Sequence, residues 1–411
     1  MAFSAVLVVG GALLNACATV RVEVPSPQTA ISFADYQKSS LALLRERRVF
    51  QHQSKDFELV WNAPHEWRPS VLKAGMRPGK GILLVHGLGD SPWSFHDIGQ
   101  ALAEQGFLVR SVLLPGHGTR PEDLMDVTLA QWRQVVYEQA SALQRDVGQV
   151  YLGGFSTGAN LVLEYAYAHP EIAGLALFSP GFRSNSSLDW LAPVVARFRP
   201  WLFEPDGRMP TQNTVRYLST PTNGFAQFYR SSRMAQHLLH LRVYDKPVFM
   251  AVAQHDSVLD TDYLLDAFQA RFTHPASRLV WYGTRPSALT DAARVLVRED
   301  RLPEQRISQF SHMGLLFSPA NALYGEHANQ RFCWNGQDLQ QTQACENGAP
   351  VWYSDWGYRE DGKVHARLTF NPYFDWQMSV MATVLSHRDV PSAGSGEVQA
   401  VSRYSSLESQ P

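Results

Sequence analysis

Short apolar runs alternate with amphipathic segments from about residue 56 onward. Runs of this length that end at Gly or Pro are typical of buried parallel strands. The pattern predicts strands over residues 81–86, 107–114, 149–155, 174–178, 246–254, 278–282 and 306–310. Helical spacing of apolar residues predicts helices over residues 94–105, 128–145, 157–168, 261–271 and 373–387. Repeated strand–helix units predict an α/β fold, with a mostly parallel central sheet flanked by helices.

The composition fits a globular protein with a sizeable core and excludes some classes of function. The chain has 411 residues, of which 45% are hydrophobic and 18% are charged. A formal net charge of -2 gives no bulk attraction to nucleic acid, so no nucleic-acid partner is expected. No apolar run reaches about 18 residues, so the sequence predicts no transmembrane helix.

Ser156 lies in the pattern Gly154-Phe155-Ser156-Thr157-Gly158, between a predicted strand and a predicted helix. Glycines that flank a serine on such a tight turn let the strand and the helix approach closely. The N-terminus of the helix directs free N–H groups and the positive end of its dipole toward a reacting oxyanion. The pattern therefore indicates a nucleophilic serine, with a structural serine in a glycine-rich turn as the alternative.

Polar residues after two later predicted strands are candidates to activate this serine, whose hydroxyl needs a base to accept its proton. Asp256 follows the strand predicted to end at residue 254, which places its carboxylate at the carboxyl edge of the sheet. Asp260 is the rival acid, although its position favours a helix cap. His312 follows the strand predicted over 306–310 and is the candidate base. Other histidines in or near these segments are less well placed: His255, His274, His327 and His365.

The segment over residues 86–119 carries a family resemblance. Its sequence, HGLGDSPWSFHDIGQALAEQGFLVRSVLLPGHGT, resembles bacterial carboxylesterases and the monoacylglycerol lipase/lysophospholipase (serine aminopeptidase S33-like) group. The Leu-Pro-Gly-His-Gly loop at its end is a hallmark of that group. The resemblance covers about residues 80–182 and 246–319 and implies the α/β-hydrolase fold, in which nucleophile, acid and histidine follow in that order.

The resemblance also implies a role for each candidate residue. Ser156 corresponds to the nucleophile, Asp256 to the acid and His312 to the base of that group. The His-Gly-x-Gly loop at residues 86–89 implies an oxyanion hole formed by the backbone N–H groups of Leu88 and Thr157. Acyl-ester hydrolysis through an acyl-enzyme is then expected, with no metal or cofactor.

Three functions remain open at this point. The leading one is a serine hydrolase of carboxylic esters, either a carboxylesterase or a lysophospholipase/monoacylglycerol lipase-like enzyme acting on small-molecule or lipid esters. A serine peptidase or amidase of the same fold is the first alternative. It would need acidic residues to bind a free amino terminus, and the candidates in the cap are Asp189, Glu204 and Asp206. A non-catalytic envelope protein on a hydrolase scaffold is the second, although such a protein has no need of all three catalytic residues.

Two segments interrupt the strand–helix rhythm. Residues 181–241 are rich in aromatic residues and arginine, and in the related esterases this interval carries a helical cap that supplies an apolar acyl pocket. Residues 320–368 contain Cys333 and Cys345 and several aromatic residues. We expect either a disulfide-pinned surface loop with its own packing or an aromatic platform for a carbohydrate or lipid headgroup.

The N-terminus predicts export and a lipid anchor. An apolar run ends in Leu14-Asn15-Ala16-Cys17, which resembles a bacterial lipobox whose cysteine is lipidated. No Lys or Arg precedes the run, and a plain secretory signal or an apolar tail are the alternatives. Ala18 favours the outer membrane, facing the periplasm. In that oxidising compartment the Cys333 and Cys345 pair can form a disulfide, with two free thiols as the alternative.

The predicted organisation divides the chain into eight segments. They are a lipoprotein signal peptide (1–17), a linker with an N-terminal helix (18–55), the first part of the core (56–180), the cap (181–241), the second part of the core (242–319), the insertion with the cysteine pair (320–368), the last core helix (369–388) and a disordered tail (389–411).

Overall fold

A computed structural model describes residues 31–386 except 71–75, 206, 208, 209 and 329. The helices of this part are α1 (Phe33–Arg47), α2 (Lys55–Asn62), α3 (His96–Glu104), α4 (Leu129–Asp146), α5 (Thr157–Ala168), α6 (Ala192–Val195), α7 (Thr222–Leu241), α8 (Thr261–Arg271), α9 (Leu339–Glu346) and α10 (Phe374–Ser386). The strands are β1 (His65–Trp67), β2 (Lys80–Val85), β3 (Phe107–Val112), β4 (Gln149–Phe155), β5 (Gly174–Phe178), β6 (Val248–Ala253), β7 (Arg278–Tyr282), β8 (Val295–Arg298), β9 (Trp352–Ser354) and β10 (His365–Arg367). The predicted signal peptide with Cys17 and the predicted tail over 389–411 lie outside the described residues.

Eight of the described strands form one twisted sheet in the order β1-β3-β2-β4-β5-β6-β7-β8. β1 is antiparallel to β3, and all the other neighbours are parallel. The mostly parallel sheet predicted from the alternating pattern is thus confirmed. Because parallel strands direct their carboxyl ends to the same edge, the loops after β2, β4 and β6 meet there.

The sheet is buried on both faces, which explains the uninterrupted apolar runs of its strands. Alternate residues of β2 divide between two cores: Leu83 and Val85 face α4, α5 and α8, whereas Ile82 and Leu84 face α3 and α10. The order of elements therefore places helices on each face, as the pattern predicts. No helix of the described residues is long and apolar enough to cross a membrane.

One predicted strand is wrong. Residues 306–310 do not join the sheet, since Arg306 has a left-handed backbone with φ +53° and Ile307 makes only isolated bridges to Leu302 and Tyr353. The eighth strand is β8, which the sequence analysis does not predict. Its apolar run is only three residues long, Val295 to Val297, before the exposed Arg298, and is therefore shorter than the runs of the interior parallel strands.

The two interruptions form separate structures beside the sheet. Residues 181–241 contain α6 and α7, which pack on each other, and α7 also packs on α5. Residues 320–368 contain α9 and the small parallel pair β9 and β10. A disulfide joins Cys333 to Cys345, with Cα atoms 5.6 Å apart, and both cysteines pack in a small core with Val351 and Ala366.

Candidate active site

Ser156 lies on the turn between β4 and α5, in a backbone conformation that non-glycine residues rarely adopt. Its φ of +52° and ψ of -114° store strain, which neighbouring groups stabilise. The Ser156 N–H donates to Phe178 O at 3.0 Å, and Ser156 O accepts from Gly181 N–H at 3.0 Å. At Gly158 an added Cβ would lie 1.9 Å from Val85 O, so only glycine fits between β2 and α5. The local sequence thus fixes the serine at the carboxyl edge of the sheet.

Asp256 follows β6 and lies beside His312. The side chain of Asp256 is fully buried, and its Oδ2 lies 2.6 Å from Nδ1 of His312. Its Oδ1 accepts hydrogen bonds from the N–H groups of Val258 (2.9 Å) and Leu259 (3.2 Å). Both carboxylate oxygens are therefore occupied, and the hydrogen bonds of the loop fix which oxygen faces the histidine.

The rival acid and the other histidines take different positions. Asp260 caps α8 by accepting from Tyr263 N–H at 3.0 Å. His255 Nδ1 lies 2.7 Å from Asp300 Oδ2, away from Asp256. His274 Nδ1 accepts from Ala276 N–H, and His365 is buried in the 320–368 insertion. Of the described candidates, only His312 lines the same cavity as Ser156.

The predicted oxyanion-hole residues lie at the floor of that cavity. Leu88 and Thr157 both line it beside Ser156. Thr157 is the first residue of α5, so its N–H has no helical carbonyl partner one turn earlier. The loop of Leu88 is held by His86, whose Nε2 accepts from Leu114 N–H at 3.1 Å.

His86 is therefore neutral, and its other nitrogen carries the proton. Nδ1 lies 2.8 Å from Gly87 O and donates to it. Burial lowers the pKa of His86 well below its usual value, and the nearby His117 lowers it further. A histidine with both nitrogens bonded to backbone has a structural role.

Residues 181–241 form the outer wall of a cavity of about 760 Å³ above Ser156. Most of its lining is apolar: Leu88, Leu188, Leu191, Ala192, Val195, Leu202, Phe203, Phe225, Phe228 and Val258. Tyr217 joins this segment to the Leu-Pro-Gly-His-Gly loop, since its hydroxyl donates to Gly116 O and accepts from Thr119 N–H. Of the acidic residues considered for an amino terminus, Asp189 lines the cavity, Glu204 is exposed and Asp206 lies outside the described residues.

The sequence does not predict a charge pair in the same cavity, formed by the buried Asp90 and the half-buried Arg216. Asp90, just after the His-Gly-x-Gly loop, lies 3.4 Å from Nε of Arg216, which the 181–241 segment contributes. Burial raises the pKa of Asp90, while Arg216 and His312 oppose the shift. Arg216 also donates to Sδ of Met313, the residue after His312. The pair joins segments 126 positions apart, and neither segment carries a local pattern that predicts it.

The sheet order, the strained serine turn and the covered cavity define the class of this protein as an α/β hydrolase. Residues 77–282, half of the chain, match the family described as serine aminopeptidase, S33, so the chain belongs to that family. The matched region contains Ser156 and Asp256 but ends before His312, whose position rests on the geometry described above.

Two bacterial enzymes are similar in sequence. A thermostable monoacylglycerol lipase of Bacillus sp. (strain H-257) is 29% identical over 188 residues, covering 44% of this chain and 71% of that enzyme. A carboxylesterase of Bacillus subtilis (strain 168) is 23% identical over 238 residues, covering 57% and 94%. A solved structure from a study of two metagenome-derived lipolytic enzymes has a TM-score of 0.43 at 20% identity, covering 54% of this chain and 86% of that chain.

Proposed function

We propose that this protein is a serine hydrolase that cleaves carboxylic esters through an acyl-enzyme, with Ser156, His312 and Asp256 as the catalytic triad. The observation that carries the proposal is the 2.6 Å contact between His312 Nδ1 and Asp256 Oδ2, together with the cavity that both His312 and Ser156 line. A buried carboxylate holds the imidazole with its proton on Nδ1, so Nε2 is free to act as a base.

The proposed reaction uses each of these groups in turn. His312 Nε2 accepts the proton of Ser156 as Oγ attacks the ester carbonyl carbon. The N–H groups of Leu88 and Thr157 stabilise the oxyanion that forms, and Asp256 stabilises the imidazolium. His312 then returns the proton to the leaving alcohol, which leaves the acyl group on Ser156. A water molecule, activated by the same histidine, hydrolyses the acyl-enzyme.

The substrate proposed is an ester with one apolar acyl chain, such as a monoacylglycerol or a lysophospholipid. The support is the apolar lining above Ser156 and the similarity to a monoacylglycerol lipase. A cavity of about 760 Å³ is within the range of sites that enclose a small ligand. A free amino terminus would instead need a carboxylate in the cavity. Asp90 faces Arg216, so Asp189 is the carboxylate that the peptidase alternative would use.

A p-nitrophenyl ester series from acetate to palmitate tests the activity, with Ser156→Ala as the matched control. We expect turnover of esters that Ser156→Ala lacks, with an optimum that reports the length of the acyl pocket. An amino-acid p-nitroanilide series is run beside it. Ser156-dependent cleavage of the anilides without cleavage of the esters would contradict the ester proposal and favour the peptidase alternative.

We further propose that Cys17 carries a lipid that holds the enzyme at the bacterial outer membrane, facing the periplasm. The support is the lipobox-like sequence that ends at Cys17, which lies outside the described residues. Expression of the full chain and of Cys17→Ser, followed by membrane fractionation, tests this. The wild type is expected with the membranes and Cys17→Ser in the soluble fraction, and equal distribution of the two would contradict the anchor.

A further inference from the structure

The 320–368 insertion contacts the loop of the proposed catalytic acid. Asp355, which follows β9, is 1% exposed, and its Oδ2 accepts a hydrogen bond of 2.5 Å from Ser257 N–H. Ser257 is the residue directly after Asp256. The backbone of the acid loop is therefore held by Asp256 itself, through Val258 and Leu259, and by a second carboxylate from another part of the chain.

The same stretch of the insertion also holds the loop that leads to His312. Tyr353 N–H donates to Arg306 O at 2.7 Å, and Tyr353 O accepts from Ser308 N–H at 2.8 Å. Ser311, the residue directly before His312, donates from Oγ to Leu368 O at 2.5 Å, and Leu368 is the last residue of the insertion. A single segment thus bonds to the loops of both the acid and the base.

Asp355 is unusual in being a carboxylate without direct contact with solvent. Burial raises its pKa, the guanidinium of Arg367 opposes the shift, and the charge of Asp256 adds to it. Nε of Arg367 lies 3.9 Å from Asp355 Oδ1. The pKa of Arg367 is itself lowered to about 10 by burial, with Arg216 as a further lowering charge. A buried charge costs free energy unless it is paired and hydrogen-bonded, and Asp355 has Arg367 as its ion partner and Ser257 N–H as a donor.

The disulfide-closed loop is connected to the backbone of Asp355 and to the side chain of Arg367. Asn335, two residues after Cys333, donates from Nδ2 to Asp355 O at 3.0 Å. Its Oδ1 accepts from Nε of Arg367 at 2.6 Å. Both members of the buried pair are thereby fixed to the loop that Cys333 and Cys345 close.

We propose that Asp355 is a positioning residue, which holds the loop of Asp256 so that the carboxylate meets His312, and that the disulfide-closed insertion acts as a brace for both catalytic loops. This inference rests on the proposed function. A misplacement of about 1 Å in a catalytic group can lower a rate about 100-fold. Asp355 acts through the acid loop and does not itself line the cavity above Ser156.

The test compares variants of the full chain at one temperature below all their melting points. Asp355→Ala removes the acceptor and the charge, whereas Asp355→Asn keeps an oxygen that can accept from Ser257 N–H. Asp361→Asn, on the exposed surface of the same insertion, is the matched control. The measurements are kcat and KM on the best p-nitrophenyl ester, with active sites counted by a fluorophosphonate that labels Ser156.

Asp355→Ala is expected to lower kcat per labelled site by about 100-fold with little change in KM. Asp355→Asn is expected to recover most of that loss, and Asp361→Asn to match the wild type. A purely structural role predicts a different result, in which fewer sites are labelled but each retains the wild-type kcat. That result, or equal kcat for Asp355→Ala and wild type, overturns the inference.

A second variant covers the case in which Asp355→Ala does not fold. The double substitution Asp355→Leu with Arg367→Met replaces the buried pair with apolar side chains of similar size, a change that is often neutral or stabilising. We expect a folded protein whose Tm is lowered only by the lost hydrogen bonds to Ser257 N–H and Asn335 Oδ1, and a kcat lowered by about 100-fold. A folded double variant with wild-type kcat overturns the inference while leaving the proposed function intact. A wild type without Ser156-dependent turnover contradicts both.

Discussion

Replacing Asp256 by Asn removes the negative charge of this side chain and keeps its shape, so the variant tests the role of the charge. The two N–H groups of Val258 and Leu259 both point at Oδ1, so the amide oxygen of the variant takes that side. The amide NH2 then faces Nδ1 of His312, which must accept a hydrogen bond and shed its proton. Nε2 of His312 consequently carries the proton and is no longer free to act as a base for Ser156.

The size of the effect follows from the charge that is lost. Because Oδ2 of Asp256 and Nδ1 of His312 are 2.6 Å apart, the centres of the carboxylate and of the imidazolium lie about 4 Å apart. At an effective dielectric constant of about 20, that pair interacts by about 4 kcal/mol. Since about 1.4 kcal/mol corresponds to a tenfold change in rate, kcat should fall about 1000-fold before the wrong tautomer is counted.

The assay is kcat on a p-nitrophenyl ester for wild type, Asp256→Asn and Asp260→Asn. Asp260→Asn is the matched control, since Asn caps a helix as well as Asp does and the residue lies only four positions away. It should retain the wild-type kcat. An Asp256→Asn variant that keeps more than about a tenth of the activity, where about a thousandth is expected, would refute the assignment of the acid.

Three further predictions concern stability. Gly158→Ala brings a Cβ within 1.9 Å of Val85 O and should lower the free energy of unfolding by about 3 kcal/mol or more; an unchanged urea midpoint would contradict this. Glu360 is partly desolvated, yet hydrogen bonds from Lys363, Ser308 and Arg301 lower its pKa to about 2. The contribution of ionised Glu360 to the free energy of unfolding is therefore complete above the usual pKa of a glutamate and is lost as pH falls toward 2. Between pH 5 and 2, the Tm of Glu360→Gln should therefore fall less steeply than that of the wild type, and parallel curves of Tm against pH would refute this link between ionisation and stability. Cys333→Ser should destabilise the oxidised protein by about 3 kcal/mol, given a separation of 12 residues, and equal wild-type melting points with and without reductant would argue against a stabilising bridge.

Most of the sheet and the candidate catalytic residues could be predicted because their signals are local. The bounds of β4 and α5 follow from the apolar run, the Gly154 and Gly158 pair and the helix that starts at Thr157. Asp256 was identified because a polar residue directly follows a buried strand. In each case a few neighbouring residues determine the backbone, so the sequence alone is enough.

The parts that could not be predicted depend on contacts between distant segments. Asp355 reaches Ser257 across 98 positions, and Arg216 reaches Asp90 across 126. The residues around Asp355 and Asp90 in the sequence do not distinguish either of them from an aspartate on the protein surface. His312 lies beside Asp256, although the strand predicted before it, residues 306–310, does not form. The loop there is held by Tyr353 of the insertion instead of by a sheet neighbour.

If Ser156 forms the covalent intermediate, a fluorophosphonate will label it, and peptide mapping of the labelled protein will locate the adduct. We expect one adduct per folded chain, on the peptide that contains Ser156, with loss of ester turnover in proportion to labelling. Ser156→Ala should remain unlabelled. An adduct on another serine, or full turnover by fully labelled protein, would show that Ser156 is not the nucleophile.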